Sequence, residues 1–245
     1  MKKALITGAN KSIGFETARL LLQQGFYVYI GSRTAENGEK AVAQLKADGL
    51  ENAAYVLLDV TDSDSVTAAR KTLGEKTDTL DVLINNAGIS GGMPQSALDA
   101  TIDQFKEVYD TNVFGVVRVT QAFIDLLKNS PEPRIVNVSS SVGSLTLNSD
   151  PTWFAYDLNA SVYNSSKTAL NMYTVKLAYE LRNTAFRVNA VDPGYVATDF
   201  NNHQGHGTVQ QAANRVSKYA LIGADGPTGG YFSEENNPET WEIPW

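Results

Sequence analysis

A phenol and a primary amine four residues apart, in Tyr163-Asn164-Ser165-Ser166-Lys167, are the pair in this chain best suited to moving a proton. On a helix that spacing puts both side chains on one face. A free phenol ionises near pH ~10, so acting as acid and base near neutrality asks for a shift of roughly three units, about 4 kcal/mol. One cation ~4 to 5 Å away at an effective dielectric of ~20 supplies about 3 to 4 kcal/mol. Alone, such a pair is common by chance and would be surface decoration. Its weight comes from the other motifs that stand with it along the chain.

The first of these is Thr7-Gly8-Ala9-Asn10-Lys11-Ser12-Ile13-Gly14, which follows the apolar run Ala4-Leu5-Ile6. Glycines between a strand and a helix permit a tight turn and close backbone approach to a pyrophosphate, whose charge the helix N-terminus favours; without the other motifs they are ordinary turn residues. A second strand ends Ile30-Gly31-Ser32-Arg33. A carboxylate at that point would accept from a ribose 2′-OH and repel a 2′-phosphate. Here a guanidinium stands instead, with Lys11 able to approach the same phosphate, so NADP(H) is the preferred cofactor and NAD(H) the alternative. Solvated surface cations are the plain reading of both residues. Further along come Asn85-Asn86-Ala87-Gly88, the serines Ser139-Ser140-Ser141 after Ile135-Val136-Asn137-Val138, and Pro193-Gly194.

Positioning such residues requires a regular scaffold. Short buried runs (Ala4–Ile6, Val28–Ile30, Tyr55–Leu58, Val82–Ile84, Ile135–Val138 and Val188–Val191) alternate with segments of helical periodicity. Ile13, Ala18, Leu21 and Leu22 share a helix face that Gly25 ends, and Thr101-Ile102-Asp103-Gln104 is a capping-box pattern. Repetition of strand and helix implies parallel strands with right-handed crossovers, an α/β doubly wound sheet. No linker divides residues 1–245, so one domain is expected, with 195–220 as a substrate-binding loop or lid.

Composition narrows the function. Of 245 residues, 20 are Lys or Arg and 27 Asp or Glu, a net charge of −7, which argues against a nucleic-acid partner. There is no cysteine, hence no disulfide, thiolate metal site or cysteine nucleophile. His203 and His206 are too few for a metal site and read as loop residues. The start, Met1-Lys2-Lys3-Ala4-Leu5-Ile6-Thr7-Gly8, does not resemble a signal peptide, and no run approaches the ~20 apolar residues of a membrane span; a cytoplasmic protein is expected.

Taken in order, these motifs closely resemble the short-chain dehydrogenase/reductase family in its single-domain form, over essentially the whole chain, with Ser12 where the glycine turn usually has a middle glycine. The resemblance implies a Rossmann-type sheet of about seven strands and a catalytic tetrad of Asn112, Ser140, Tyr163 and Lys167. It implies that Ser140 steadies the substrate carbonyl, Tyr163 delivers the proton, Lys167 lowers the phenol pKa and holds ribose hydroxyls, and Asn112 positions a water that links Lys167 to solvent. Ser139 or Ser141 remains open for the serine role, with Ser140 favoured by the alignment through Gly143; Ser140 could also simply cap a strand, and Asn112 be a helix irregularity. The cofactor residues implied are Gly8, Asn10, Lys11, Ser12, Ile13, Gly14, Arg33, Asp59, Val60, Asn86, Ala87, Gly88, Tyr163, Lys167, Pro193, Gly194, Val196 and Thr198. Asp59 would hold the adenine amino group, or else be a helix N-terminal acid beside Thr61 and Asp62. The glycine turn with Lys11 and Gly226-Pro227-Thr228-Gly229-Gly230-Tyr231-Phe232-Ser233-Glu234 look most like the carbonyl-reductase branch, which implies reduction of a ketone or aldehyde with the pro-S hydride.

Two stretches stay open. Between Ser140 and Tyr163 lie Trp153, Phe154 and Tyr156, which suit a pocket wall, an oligomer contact or core packing. Assembly through the long helices expected over Phe105–Leu127 and Tyr163–Arg182 would give a homodimer or homotetramer. The end, Trp241-Glu242-Ile243-Pro244-Trp245, could dock on the pocket or on a neighbouring subunit. The reading is thus an NADPH-dependent carbonyl reductase for a small-molecule carbonyl or alcohol. The alternatives are a dinucleotide-binding sensor without turnover, and an isomerase or dehydratase on the same fold, which is disfavoured by the short stretch after Pro193-Gly194.

Overall fold

The structure, a computed structural model, describes residues 1–245. Strand and helix alternate as β1 (Lys3–Ile6), α1 (Ser12–Gln23), β2 (Tyr27–Ser32), α2 (Ala35–Ala47), β3 (Ala53–Leu57), α3 (Ser63–Gly74) and β4 (Val82–Asn85). There follow α4 (Ile102–Tyr109), α5 (Gly115–Lys128), β5 (Arg134–Val138), the short α6 (Leu145–Asn148), α7 (Ser161–Glu180), β6 (Arg187–Val191), α8 (Val209–Ala220) and β7 (Tyr231–Phe232). The seven strands form one parallel sheet in the order β3-β2-β1-β4-β5-β6-β7. The chain works outward from β1 to β3, crosses back through α3, and works outward again from β4. The order reverses between β1 and β4, and the crevice outside the carboxyl ends of those strands is where such sheets take ligands.

Burial on both faces explains the apolar strand runs. Ala4 and Ile6 of β1 point into a core under α1, α2 and α8, whereas Leu5 points the other way with Tyr29, Leu83 and Ile135, under α3 and α5. Alternation of successive side chains makes one strand serve both layers. A buried polar ladder crosses the second layer. The Asn85 amide donates to Asn137 Oδ1 (2.8 Å) and Thr120 Oγ1 (3.1 Å), and the Asn137 amide donates to Thr174 Oγ1 (2.9 Å), which ties β4 to β5 and both to their helices.

Several elements differ from their expected bounds. β2 runs on through Gly31 and Ser32, because Gly31 lets it lie against β1, where a Cβ would stand 2.8 Å from the Ile6 carbonyl oxygen. β3 begins at Ala53, in alanines whose weak strand preference hides the pairing with Val28. The Thr101–Gln104 capping box forms, but the helix after it is not continuous: a π-helical turn, Asp110–Phe114, separates α4 from α5. Only part of 195–220 is loop, since α8 buries Ala212, Ala213, Val216 and Tyr219. No helix is long and apolar enough to cross a membrane.

Candidate active site

The glycine turn makes a cradle through what its residues lack. Gly8 has φ +62°, and a Cβ on it would meet Ala87; a Cβ on Gly14 would stand 2.5 Å from the Asn86 amide nitrogen and 2.9 Å from Ala9 Cα. Asn86 closes the other wall. Its side chain donates to the Thr7 and Gly8 carbonyls (2.9 and 3.2 Å), while the Asn86 and Ala87 amides donate to Thr7 Oγ1 (3.0 and 2.9 Å). Helices α2, α3, α4 and α8 have N-cap side chains, Thr34, Asp62, Thr101 and Thr208, that accept from their first turns. At α1, Lys11 makes no such bond and the first turn holds no acid. Its amides are therefore left for an anion, which is what a dinucleotide pyrophosphate requires. Ser12 adopts φ +55°, a left-handed conformation that glycine takes at less cost.

Around the cradle, Arg33 is exposed just beyond β2. Lys11 pairs with Asp199 at 2.7 Å, both side chains open to solvent, so a phosphate would compete with that carboxylate for it. Asp59 accepts from the Thr61 amide (2.9 Å) and hydroxyl (2.7 Å), an Asx turn before the Asp62 cap, and Val60 is buried against Gly115. Asn10 and Ile13 are partly exposed along the same turn.

The remaining groups meet where β5, β6 and α7 converge. Lys167, 5 % exposed, lies with its Nζ 5.6 Å from the Tyr163 ring centroid and donates to the Val138 carbonyl at 2.9 Å. The two side chains thus share the expected face. A Cβ on Gly88 would lie 3.3 Å from Asn112 Oδ1 and 3.8 Å from Lys167 Nζ, so the bare glycine brings the Asn86–Gly88 loop up to both. Asn112 sits in the π turn and is fully buried; its side chain accepts from the Ile89 amide (2.9 Å) and donates to the Ile89 carbonyl (2.9 Å) and Ser166 Oγ (3.1 Å). It fixes the loop after β4, and the helix irregularity is the device that turns it inward.

The three serines part company. Ser139 donates to Asn171 Oδ1 at 2.6 Å, whereas Ser140 lies beside the Tyr163 phenol and Ser141 beside Asp192. Proton affinities depart from the expected scheme. Burial and the negative charge of Asp192 push the Tyr163 phenol above its usual range, opposed by the neighbouring Ser140 hydroxyl. Burial brings the Lys167 ammonium down to about 8, and Asp192 partly offsets it. Desolvation is thus the largest influence on both groups, and it acts on them in opposite directions.

Beyond β6, Pro193 and Gly194 are held by Arg215, which donates to the Pro193 carbonyl (2.8 Å), Glu234 (2.6 Å) and Glu235 (3.0 Å). Val196 and Thr198 are buried, and pairing of Val196 with Gly207 closes the base of the loop between them. Phe200 in that loop lies edge-on to Tyr163, centroids 5.5 Å apart. His203 contacts Asp199 (3.0 Å) and His206 contacts Glu235 (3.4 Å). No group of three or more His, Asp or Glu side chains is placed to hold a metal.

One positioning residue carried no sequence signal, and three aromatics that did carry one find partners within the chain. Gln95, 1 % exposed, accepts from the Tyr163 amide (2.9 Å), and its carbonyl accepts from Ser161 N and Oγ (3.0 and 2.6 Å), which caps the otherwise uncapped α7. Tyr231 donates to the Ser140 carbonyl and stacks on Trp245 at 5.0 Å, while Trp245 accepts from Thr146 N and Oγ1 (3.2 and 2.9 Å). The terminal segment thus packs on its own chain beside the site. Trp153 donates to Asn236 (2.7 Å), and Phe154 next to it is exposed.

Comparison with known proteins agrees with this fold. A family model described as short chain dehydrogenase matches residues 2–208. Short-chain dehydrogenase anuI of Penicillium roqueforti is 34 % identical over 239 residues, 95 % of this chain and 94 % of that protein. (-)-Isopiperitenone reductase of Mentha piperita is 34 % identical over 307 aligned residues, 95 % of this chain and 96 % of its own, an alignment longer than this chain, so that relative carries segments absent here. Among solved structures, salutaridine reductase from Papaver somniferum superposes with a TM-score of 0.83 at 30 % identity over 95 % of this chain and 100 % of that one. NADPH-bound carbonyl reductase from chicken fatty liver does so with a TM-score of 0.84 at 27 % identity over 100 % and 99 %. The chain belongs to the short-chain dehydrogenase/reductase family and is an NAD(P)-dependent oxidoreductase with a seven-stranded Rossmann fold.

Proposed function

We propose that this chain is an NADPH-dependent carbonyl reductase, reducing a ketone or aldehyde to an alcohol reversibly. The observation that carries the reading is the meeting of Ser140, Tyr163 and Lys167 beside a cradle with free helix amides. Gly8, Asn10, Ser12, Ile13 and Gly14 with Asn86, Ala87 and Gly88 would hold the dinucleotide, Arg33 and Lys11 its 2′-phosphate, Asp59 and Val60 its adenine end, and Pro193, Gly194, Val196 and Thr198 its nicotinamide end. The bound cofactor supplies the hydride.

This chain's own residues then manage one oxygen and one proton. Ser140 Oγ donates to the substrate carbonyl oxygen and steadies the negative charge that grows there. Tyr163 gives that oxygen its proton, and the raised affinity of the phenol suits it to begin as the acid. Lys167 holds ribose hydroxyls and restores the proton to Tyr163, and Asn112 fixes the loop that borders both.

Phe200, edge-on to Tyr163, and the exposed Tyr195 of the same loop suit a small or medium apolar substrate. Residues 1–245 act as one domain, and 195–208, the part of 195–220 outside α8, is the substrate segment. Exposed Phe114, Met172 and Tyr179 on the π turn and α7 offer a face for a second copy of the chain. Loss of absorbance at the reduced-nicotinamide band, followed with NADPH and NADH separately across aldehydes, ketones and quinones, tests the reading. Oxidation of NADPH by a ketone or aldehyde is expected. No oxidation by any of them would sink it, and preference for NADH would overturn the roles given to Arg33 and Lys11.

A further inference from the structure

The segment that follows β7, Ser233-Glu234-Glu235-Asn236, has no place in the chemistry above, yet each of its side chains grips a different part of the substrate end. Ser233 Oγ donates to Asp192 just past β6 (2.7 Å), Glu234 accepts from Arg215 Nε of α8 (2.6 Å), and Asn236 accepts from Trp153 (2.7 Å). Of the four, Glu235 is the one hydrogen-bonded to the substrate loop. Its side chain, 13 % exposed, accepts from the Tyr195 amide through Oε2 (3.0 Å) and from Arg215 Nη1 through Oε1 (3.0 Å). The same Oε1 lies 3.4 Å from His206 Nε2.

Tyr195 and His206 stand at opposite ends of the loop, where backbone bonds close its neck: the Gly207 amide donates to the Tyr195 carbonyl (3.0 Å) and the Ala197 amide to the Gly207 carbonyl (3.3 Å). Glu235 therefore ties that neck to α8 and, through Arg215, to the Pro193 carbonyl (2.8 Å). A Cβ on Gly194 would collide with both Arg215 Nη1 and Glu235 Oε1, so the pair packs flush against the Pro193–Gly194 backbone. We propose that Glu235 is a positioning residue for carbonyl reduction: by bridging Tyr195, His206 and Arg215 it fixes the loop that sets Phe200 over Tyr163 and carries Val196 and Thr198. Its catalytic consequence rests on the reductase reading, although its effect on the loop does not. A carboxylate is needed because Oε2 faces a backbone N–H and Oε1 a guanidinium N–H. An amide in its place turns its own NH2 toward one of those donors and loses that bond.

Glu234 supplies the control. Glu235→Gln and Glu234→Gln each remove one carboxylate partner of Arg215, but only the first also disturbs the loop. In hydrogen exchange of the cofactor-free protein followed by mass spectrometry, residues 195–207 are expected to exchange about tenfold faster in Glu235→Gln and at the wild-type rate in Glu234→Gln. In kinetics, kcat/KM for the carbonyl compound is expected to fall about tenfold in Glu235→Gln, mostly through its KM, with KM for NADPH within about twofold because the glycine turn is untouched. Equal exchange and equal kinetics in the two variants overturn the proposal, since Glu235 would then be no more than a second partner of Arg215. Faster exchange with an unchanged kcat/KM overturns the positioning role as well. Where Glu235→Gln does not fold, His206→Ala, at an exposed position, removes the outer contact. Faster exchange over 195–207 with about a twofold loss in kcat/KM then supports the proposal, and wild-type exchange overturns it. A wild-type protein without turnover would sink the reductase reading and leave the exchange of the loop to decide this one.

Discussion

The two ends of the site are built on different principles. At the cofactor end, function lies in the backbone: bare glycines, free amides of α1 and two loops stapled through Thr7 and Asn86, all from residues near strand ends in the first half of the chain. At the substrate end, side chains reach across long sequence separations: Tyr231 to Ser140, Trp245 to Thr146, Trp153 to Asn236, Arg215 to Pro193. The first kind of construction tolerates few residue types at each position and so leaves a motif. The second is set by partners that any of several residues could provide, so the Tyr163–Lys167 spacing is legible there but the contacts that brace it are not.

That contrast predicts separable defects. Tyr163→Phe removes the proton donor and should lower kcat by about 10³-fold while NADPH binding, followed by fluorescence, stays within about twofold; comparable loss of binding would merge the two ends. Arg33→Ala should raise KM for NADPH about tenfold, some 1.4 kcal/mol, with KM for NADH unmoved. An equal rise for both cofactors would show that Arg33 does not face a 2′-phosphate. Tyr231→Phe deletes the hydrogen bond to the Ser140 carbonyl, worth about 1 kcal/mol, and should cut kcat several-fold with the cofactor KM unchanged. The smallest effect is a gain. Ser12→Gly relieves a left-handed serine, about 1 kcal/mol, and should raise Tm by roughly 2 to 4 °C; no change would mean that the turn carries no strain.

What the sequence made legible follows the same division. The alternation of strand and helix, the glycine turn, the Asn86–Gly88 loop and the Tyr163–Lys167 spacing are local patterns, and each appears where its pattern put it. The direction of the Tyr163 shift was not legible, because it depends on how deeply the ring is packed and on Asp192, twenty-nine residues away and beyond the end of β6. Nor was Gln95, since a glutamine that caps a helix from a distant loop looks like any surface glutamine until its burial is known. The π turn escaped for a related reason: residues 102–128 have unbroken helical periodicity, and one extra residue in a turn barely disturbs it.

The Tyr231 and Trp245 contacts also bear on how the protein is made. As the chain emerges from the ribosome, β1 to β4 can pair and close the nucleotide cradle while most of the catalytic half is still untranslated. Ser140 and α6 are synthesised some ninety residues before the aromatic pair that clamps them. The nascent chain therefore acquires a place for its coenzyme well before it acquires a finished place for the molecule it reduces.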